Sequence, residues 1–83
     1  MMIKTLGNIK KIADEYSEVE IIDYYYDGYY GYVSIMGNPY EGQIWRVISK
    51  MEYINNVIEC KLNLSNNKDD DYDVLQISFI EPR

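Results

Sequence analysis

The stretch "DYYYDGYYGY", residues 23–32, holds six of the chain's ten tyrosines around one Asp-Gly. Tyrosine offers a large flat contact area, a hydroxyl and few rotatable bonds, and so is favoured in binding surfaces. Tyr25, Tyr30 and Tyr32 next to Asp23 and Asp27, with Glu20 nearby, suit a basic protein partner. A single-strand nucleic-acid platform also uses exposed aromatics, but it needs flanking Lys or Arg, and this stretch has none. The competing reading is structural: tyrosine is a good strand former, and the rings would do no more than staple a hairpin.

A second group is "NNKDDDYD", residues 66–73. A calcium loop of the EF-hand type needs Gly at its sixth position and Glu at its twelfth. Counted from Asn67, those places hold Tyr72 and Ser78, so the pattern fails and no metal site is expected. A polar acidic loop remains, whose Asp69, Asp70, Asp71 and Asp73 are candidates for docking onto a basic groove.

The third group is Cys60 with Glu52 and Glu59. A nucleophilic cysteine is usually activated by histidine, and the chain has no histidine. Alternation on a strand turns Cys60 inward, as a structural thiol. Glu52 and Glu59 form a carboxylate pair beside Lys50 and Lys61, which reads as a salt-bridged surface. No glycine-rich phosphate loop exists. The expectation is a non-enzyme with no catalytic residues and no cofactors.

Composition narrows the setting. The chain has 83 residues, one cysteine and a net charge of −6, which fits a single domain, 1–83, with a small core. Residues 13–42 carry seven acids and no base. Such a field repels phosphate backbones and anionic membranes and attracts basic surfaces. Direct nucleic-acid binding and membrane association are therefore not expected. A lone cysteine fits a reducing compartment, and Lys4, Lys10 and Lys11 interrupt the first apolar stretch, unlike a signal peptide. A cytoplasmic location is expected. Abundant Ile, Asn, Lys and Tyr with one alanine point to AT-rich codons, as in a low-GC bacterium or its phage.

The positioning elements follow from periodicity. Leu6, Ile9, Ile12, Ala13 and Tyr16 have helical spacing, predicting an amphipathic helix over 5–16 capped by Thr5 or Asn8. From Val19 the period becomes two. Asp27-Gly28 predicts a type I′ hairpin pairing Tyr26 with Tyr29, Tyr24 with Gly31 and Ile22 with Val33. Ile22, Tyr24, Val33 and Ile35 then face the core, and Tyr25, Tyr30 and Tyr32 lie beside Asp23 on the other side. "GNPYEG", 37–42, reads as a turn. Residues 43–53 alternate, with Trp45, Val47, Met51 and Tyr53 on one face, predicting a strand. Asn55-Asn56 predicts a second hairpin that sets Tyr53 opposite Ile58, Met51 opposite Cys60 and Glu52 opposite Glu59. "VLQISFI", 74–80, is a last strand with Leu75, Ile77 and Phe79 inward.

The predicted fold is α+β: an N-terminal helix packed on a five-stranded antiparallel meander sheet. A small five-stranded β-barrel is the alternative, because Ile44, Ile48, Val57, Val74 and Ile80 remain for the second sheet face. That face also admits a homodimer.

In its size, its acidic stretch from Asp14 to Asp27, its hairpin tyrosines and "KDDDYD", the chain resembles the small phage inhibitors of bacterial defence nucleases, the anti-CRISPR and anti-restriction DNA mimics. The resemblance implies a cytoplasmic inhibitor acting in a bacterial host cell. Its carboxylates would imitate phosphates in a basic nucleic-acid-handling enzyme, the role falling on Asp69, Asp70, Asp71 and Asp73, or on Glu20, Asp23 and Asp27. An immunity protein or antitoxin against a basic toxin, a homodimeric structural protein and a small-nucleotide binder are the other readings.

Overall fold

A computed structural model describes residues 4–37, 42–63 and 72–82. The elements are α1 (Lys4–Asp14), β1 (Val19–Tyr26), β2 (Tyr30–Gly37), α2 (Gln43–Met51), β3 (Val57–Asn63) and β4 (Asp73–Ile80). The four strands form one antiparallel sheet in the order β1-β2-β4-β3. The class is α+β, with two helices and four strands among the described residues rather than one helix and five strands. The strand order is not a meander, and β1 and β3 are the two edges of an open sheet, not neighbours in a barrel.

Helix α1 forms where periodicity places it, slightly displaced from 5–16. Thr5, Ile9 and Ala13 are buried at four-residue intervals, while Lys10, Lys11 and Asp14 are exposed. The helix tightens as it ends: the Glu15 and Tyr16 N–H groups donate to the Ile12 and Ala13 carbonyls, each at 3.1 Å, three residues back.

Residues 43–51 are a helix, not a strand. Ile44, Val47, Ile48 and Met51 stand at i, i+3, i+4 and i+7, a helical stripe; Ile44, Val47 and Met51 are buried beneath it. The alternation that suggested a strand depends on Trp45 and Tyr53, and these are 56% and 79% exposed. With no strand at 43–53, the second hairpin also goes. Asn55 and Asn56 lie in the α2–β3 connection, and β3 pairs with β4, placing Cys60 opposite Ile77 and Glu59 opposite Ser78. Glu52 follows α2 and has no cross-strand partner. The expected turn at 37–42 falls largely outside the described residues.

The first hairpin exists in a corrected register. Its loop is Gly28-Tyr29: the Asp27 N–H donates to the Tyr30 carbonyl at 3.1 Å. A type I′ turn on Asp27-Gly28 requires positive φ at both residues. Only Gly28 has it, at 101°, and no described non-glycine does. Tyr26 therefore pairs with Gly31, Tyr25 with Tyr32 and Tyr24 with Val33. Farther along, the register shifts between Ile21 and Asp23. This bulge reverses the alternation, so Val19 and Ile21 pack against the core and Ile22 is 49% exposed.

Both helices cover one face of the sheet. Ile9, Ala13, Ile44, Val47 and Met51 meet Val33, Ile35, Leu75, Ile77 and Phe79 in one buried cluster. As expected, Leu75, Ile77 and Phe79 point inward. Their alternates on β2 and β4 lie on the opposite face, which no described element covers. Gly31 sits between Tyr26 and Phe79, whose rings stack across it at 6.1 Å and 16°. A Cβ at Gly31 would come within 2.5 Å of Phe79 Cζ and 2.6 Å of the Tyr25 carbonyl oxygen.

The connectivity α-β-β occurs twice, and the halves interlock. The first turn of α1 reaches the second half: the Thr5 N–H and hydroxyl both donate to Glu81 Oε1, at 2.8 and 2.6 Å, and Asn56 Nδ2 donates to Thr5 Oγ1 at 2.9 Å. Thr5 is thus inside the helix, and the carboxylate that serves its N-terminus comes from Glu81. The start of α2 reaches the first half, where the Glu18 N–H donates to Gln43 Oε1 at 2.8 Å.

Candidate functional site: an acidic tyrosine face

Every second residue of a strand faces the same way. On β1, past the bulge, that rule puts Asp23 and Tyr25 on the uncovered face, with Asp27 next in line at the turn. On β2 it adds Tyr30, Tyr32, Ser34 and Met36, and on β4 Val74, Gln76, Ser78 and Ile80. The centre of this patch is the cross-strand pair Tyr25–Tyr32, with ring centroids 5.6 Å apart and planes at 23°.

Two carboxylates flank the stack, each oriented by backbone donors. Asp27 Oδ1 accepts the Tyr29 and Tyr30 N–H groups at 2.9 and 2.8 Å. Asp23 Oδ1 accepts the Tyr24 N–H at 2.9 Å. Their second oxygens face the phenols: the Tyr25 hydroxyl donates to Asp27 Oδ2 and the Tyr32 hydroxyl to Asp23 Oδ2, both long at 3.4 Å. Beside them the Tyr30 hydroxyl donates to Ser78 Oγ at 3.1 Å.

The electrostatics follow the geometry. The negative charge of Asp27 holds the Tyr25 phenol above the ordinary tyrosine range, and that of Asp23 does the same for Tyr32. The backbone donors of Tyr30 and Tyr29 stabilise the Asp27 carboxylate and hold it below its ordinary range. The phenols therefore stay neutral donors and the Asp27 carboxylate stays charged. Most bases lie elsewhere: Lys4, Lys10, Lys11, Arg46 and Lys50 are on the helices, and Lys61 is the sole described base on a strand. Lys50 is bound to Glu15 at 3.1 Å across the helix ends rather than set beside Lys61.

Of the residues singled out from sequence, Asp23, Tyr25, Asp27, Tyr30 and Tyr32 come together on this face. Tyr24 was expected in the core and is 64% exposed, because β1 is an edge strand and Tyr24 lies outside the buried cluster; Tyr26 packs inward instead. Asp69, Asp70 and Asp71 lie outside the described residues. Asp73 is the first residue of β4 and is 2% exposed, so it belongs to the sheet and not to a solvated acidic surface. Cys60 is exposed on the edge strand β3 rather than buried; partial burial and the Glu59 charge push its thiol up, away from the reactive thiolate. Ser78 was missed, although the alternation of β4 places it opposite Tyr32.

Among the described residues there is no group of three or more Cys, Asp or Glu placed to hold a metal ion, and no described helix is long and apolar enough to cross a membrane. No protein-family model, curated protein or solved structure matches the chain.

Proposed function

We propose that this protein is a non-enzymatic binding module that docks a basic protein surface on its acidic tyrosine face. In this reading it blocks a nucleic-acid-handling enzyme, such as a CRISPR or restriction nuclease, inside a bacterial cell infected by the phage that encodes it. The observation that carries the reading is the Tyr25–Tyr32 stack on an uncovered sheet face, with two charged carboxylates held in place beside it. Rings locked by stacking lose little freedom on binding, and fixed carboxylates meet a basic surface without reorganising. A net charge of −6 steers such a partner and repels nucleic acid itself.

The test is an inhibition assay on a panel of purified basic nucleases, comparing wild type with Asp23→Lys/Asp27→Lys. The expected result is inhibition of at least one enzyme, competitive with its nucleic acid and abolished in the variant. Inhibition that survives the charge reversal would remove this face from the function. Absence of both binding and inhibition across the panel would remove the proposed activity.

A further inference from the structure

The spacing of the carboxylates says more about what they recognise. Asp23 and Asp27 are four residues apart along β1 and its turn, about 13 Å at roughly 3.3 Å per residue. A nucleic-acid strand presents a phosphate about every 3.4 Å of rise in duplex DNA. Two carboxylates so spaced along the backbone do not match consecutive phosphates of such a strand. They act as separate points, each paired with its own aromatic ring: Asp27 with Tyr25, and Asp23 with Tyr32.

Each pair presents the same three features. One carboxylate oxygen is tied to backbone N–H groups and fixes the carboxylate. The other is held only by a phenol at 3.4 Å, too long to use its acceptor capacity. Stacking uses one face of each ring; Tyr25 on the edge strand is 43% exposed, and Tyr32 on β2 is half-buried. A guanidinium is planar, weakly hydrated and carries five donors, so it stacks on a ring while bonding a carboxylate. An ammonium is a compact, strongly hydrated point charge and satisfies only the electrostatic half of such a site.

We propose that the acidic tyrosine face is selective for arginine over lysine, its occupant being a partner surface that presents arginines to the Asp27–Tyr25 and Asp23–Tyr32 pairs. This rests on the docking reading above and names the chemistry of the partner.

The experiment titrates the full chain against two dye-labelled ten-residue peptides of alternating Arg-Ser and Lys-Ser, equal in charge, by fluorescence anisotropy. The arginine peptide is expected to bind about tenfold more tightly. Tyr25→Leu/Tyr32→Leu should weaken only the arginine peptide and bring the ratio close to one; Asp23→Asn/Asp27→Asn should weaken both. The wild-type ratio alone decides the question if the leucine variant does not fold. Equal affinities overturn the arginine selectivity and leave basic docking standing, whereas failure of both peptides to bind overturns both. Sedimentation of the chain alone reads the competing occupant, a second copy: a dimer that Tyr32→Asp dissociates would overturn the proposal.

Discussion

The two faces of the sheet are built from alternate residues of the same strands, yet they follow different rules. On the helix-covered face Val33, Ile35, Leu75, Ile77 and Phe79 are fully buried and carry no polar group. On the other, the same strands present Tyr30, Tyr32, Ser34, Gln76 and Ser78, half-buried and able to hydrogen-bond. The first face is where burial stabilises the fold at about 25 cal/mol per Å² of apolar surface. The second holds groups whose polar ends remain accessible. Stability and the proposed binding are therefore separable by residue parity.

The separation can be broken most forcefully at Phe79. Phe79→Ala removes the largest buried side chain, and about 3–5 kcal/mol of stability should be lost in a urea denaturation. Gly31→Ala tests the same face from across the strand. Its new Cβ meets Phe79 and a backbone oxygen, so about 1–3 kcal/mol should be lost through overpacking. Tyr32→Ala, one residue along and on the opposite face, should abolish partner binding while shifting the melting midpoint less than either. A fall in stability as large as that of Phe79→Ala would collapse the distinction between the faces. Trp45→Lys, on the exposed side of α2, should stay within about 0.5 kcal/mol of wild type. A strand at this position would set Trp45 beside the buried Val47 and make the substitution far more damaging.

Titration separates the faces in another way. The Tyr25 and Tyr32 phenols are raised in the folded chain, so the native state holds those protons more tightly than the unfolded chain. Their stabilising contribution is complete below the ordinary tyrosine value of about 10 and disappears as pH rises through the folded values. Asp27 has the opposite sign. Its lowered carboxylate contributes above the ordinary value of about 3.9, and that contribution is lost as pH falls through the folded value. Ultraviolet titration of phenolate absorbance should show two late-ionising tyrosines, and Asp27→Asn should bring one of them earlier. A single titration with no late component would remove the coupling between carboxylates and phenols.

Much of this was legible from residue order where one period dominated. The alternation of Leu75, Ile77 and Phe79 sufficed for β4, and the spacing of Ile9, Ile12 and Ala13 for α1. The same rule gathered Asp23, Tyr25, Tyr30 and Tyr32 onto one side of the hairpin. It failed at 43–51 because Trp45 and Tyr53 supplied apolar residues at even spacing, although neither is buried. It also failed in the pairing of β3, whose expected partner strand is helix α2, and at Ile22, where the register shifts between Ile21 and Asp23. A bulge inserts one residue without a compositional mark, and each residue beyond it changes face. The tie from Thr5 to Glu81 spans nearly the whole chain, and no local pattern announces it.

The interlocked halves bear on how the chain reaches its native state. Each hairpin and helix joins neighbours in sequence, but β2 meets β4 only when Tyr30 has found Ile80 and Gly37 has found Asp73. Closing so long a loop carries an entropy cost before any contact repays it. Until β2 and β4 zip together, α1 lacks the Glu81 carboxylate at its first turn and the cluster around Phe79 lacks one wall. Each half then lacks part of its native support, and the meeting of the central strands is the step expected to limit the folding rate. Stopped-flow refolding should report it as slower folding in Ile77→Val, with little change in Ile22→Ser.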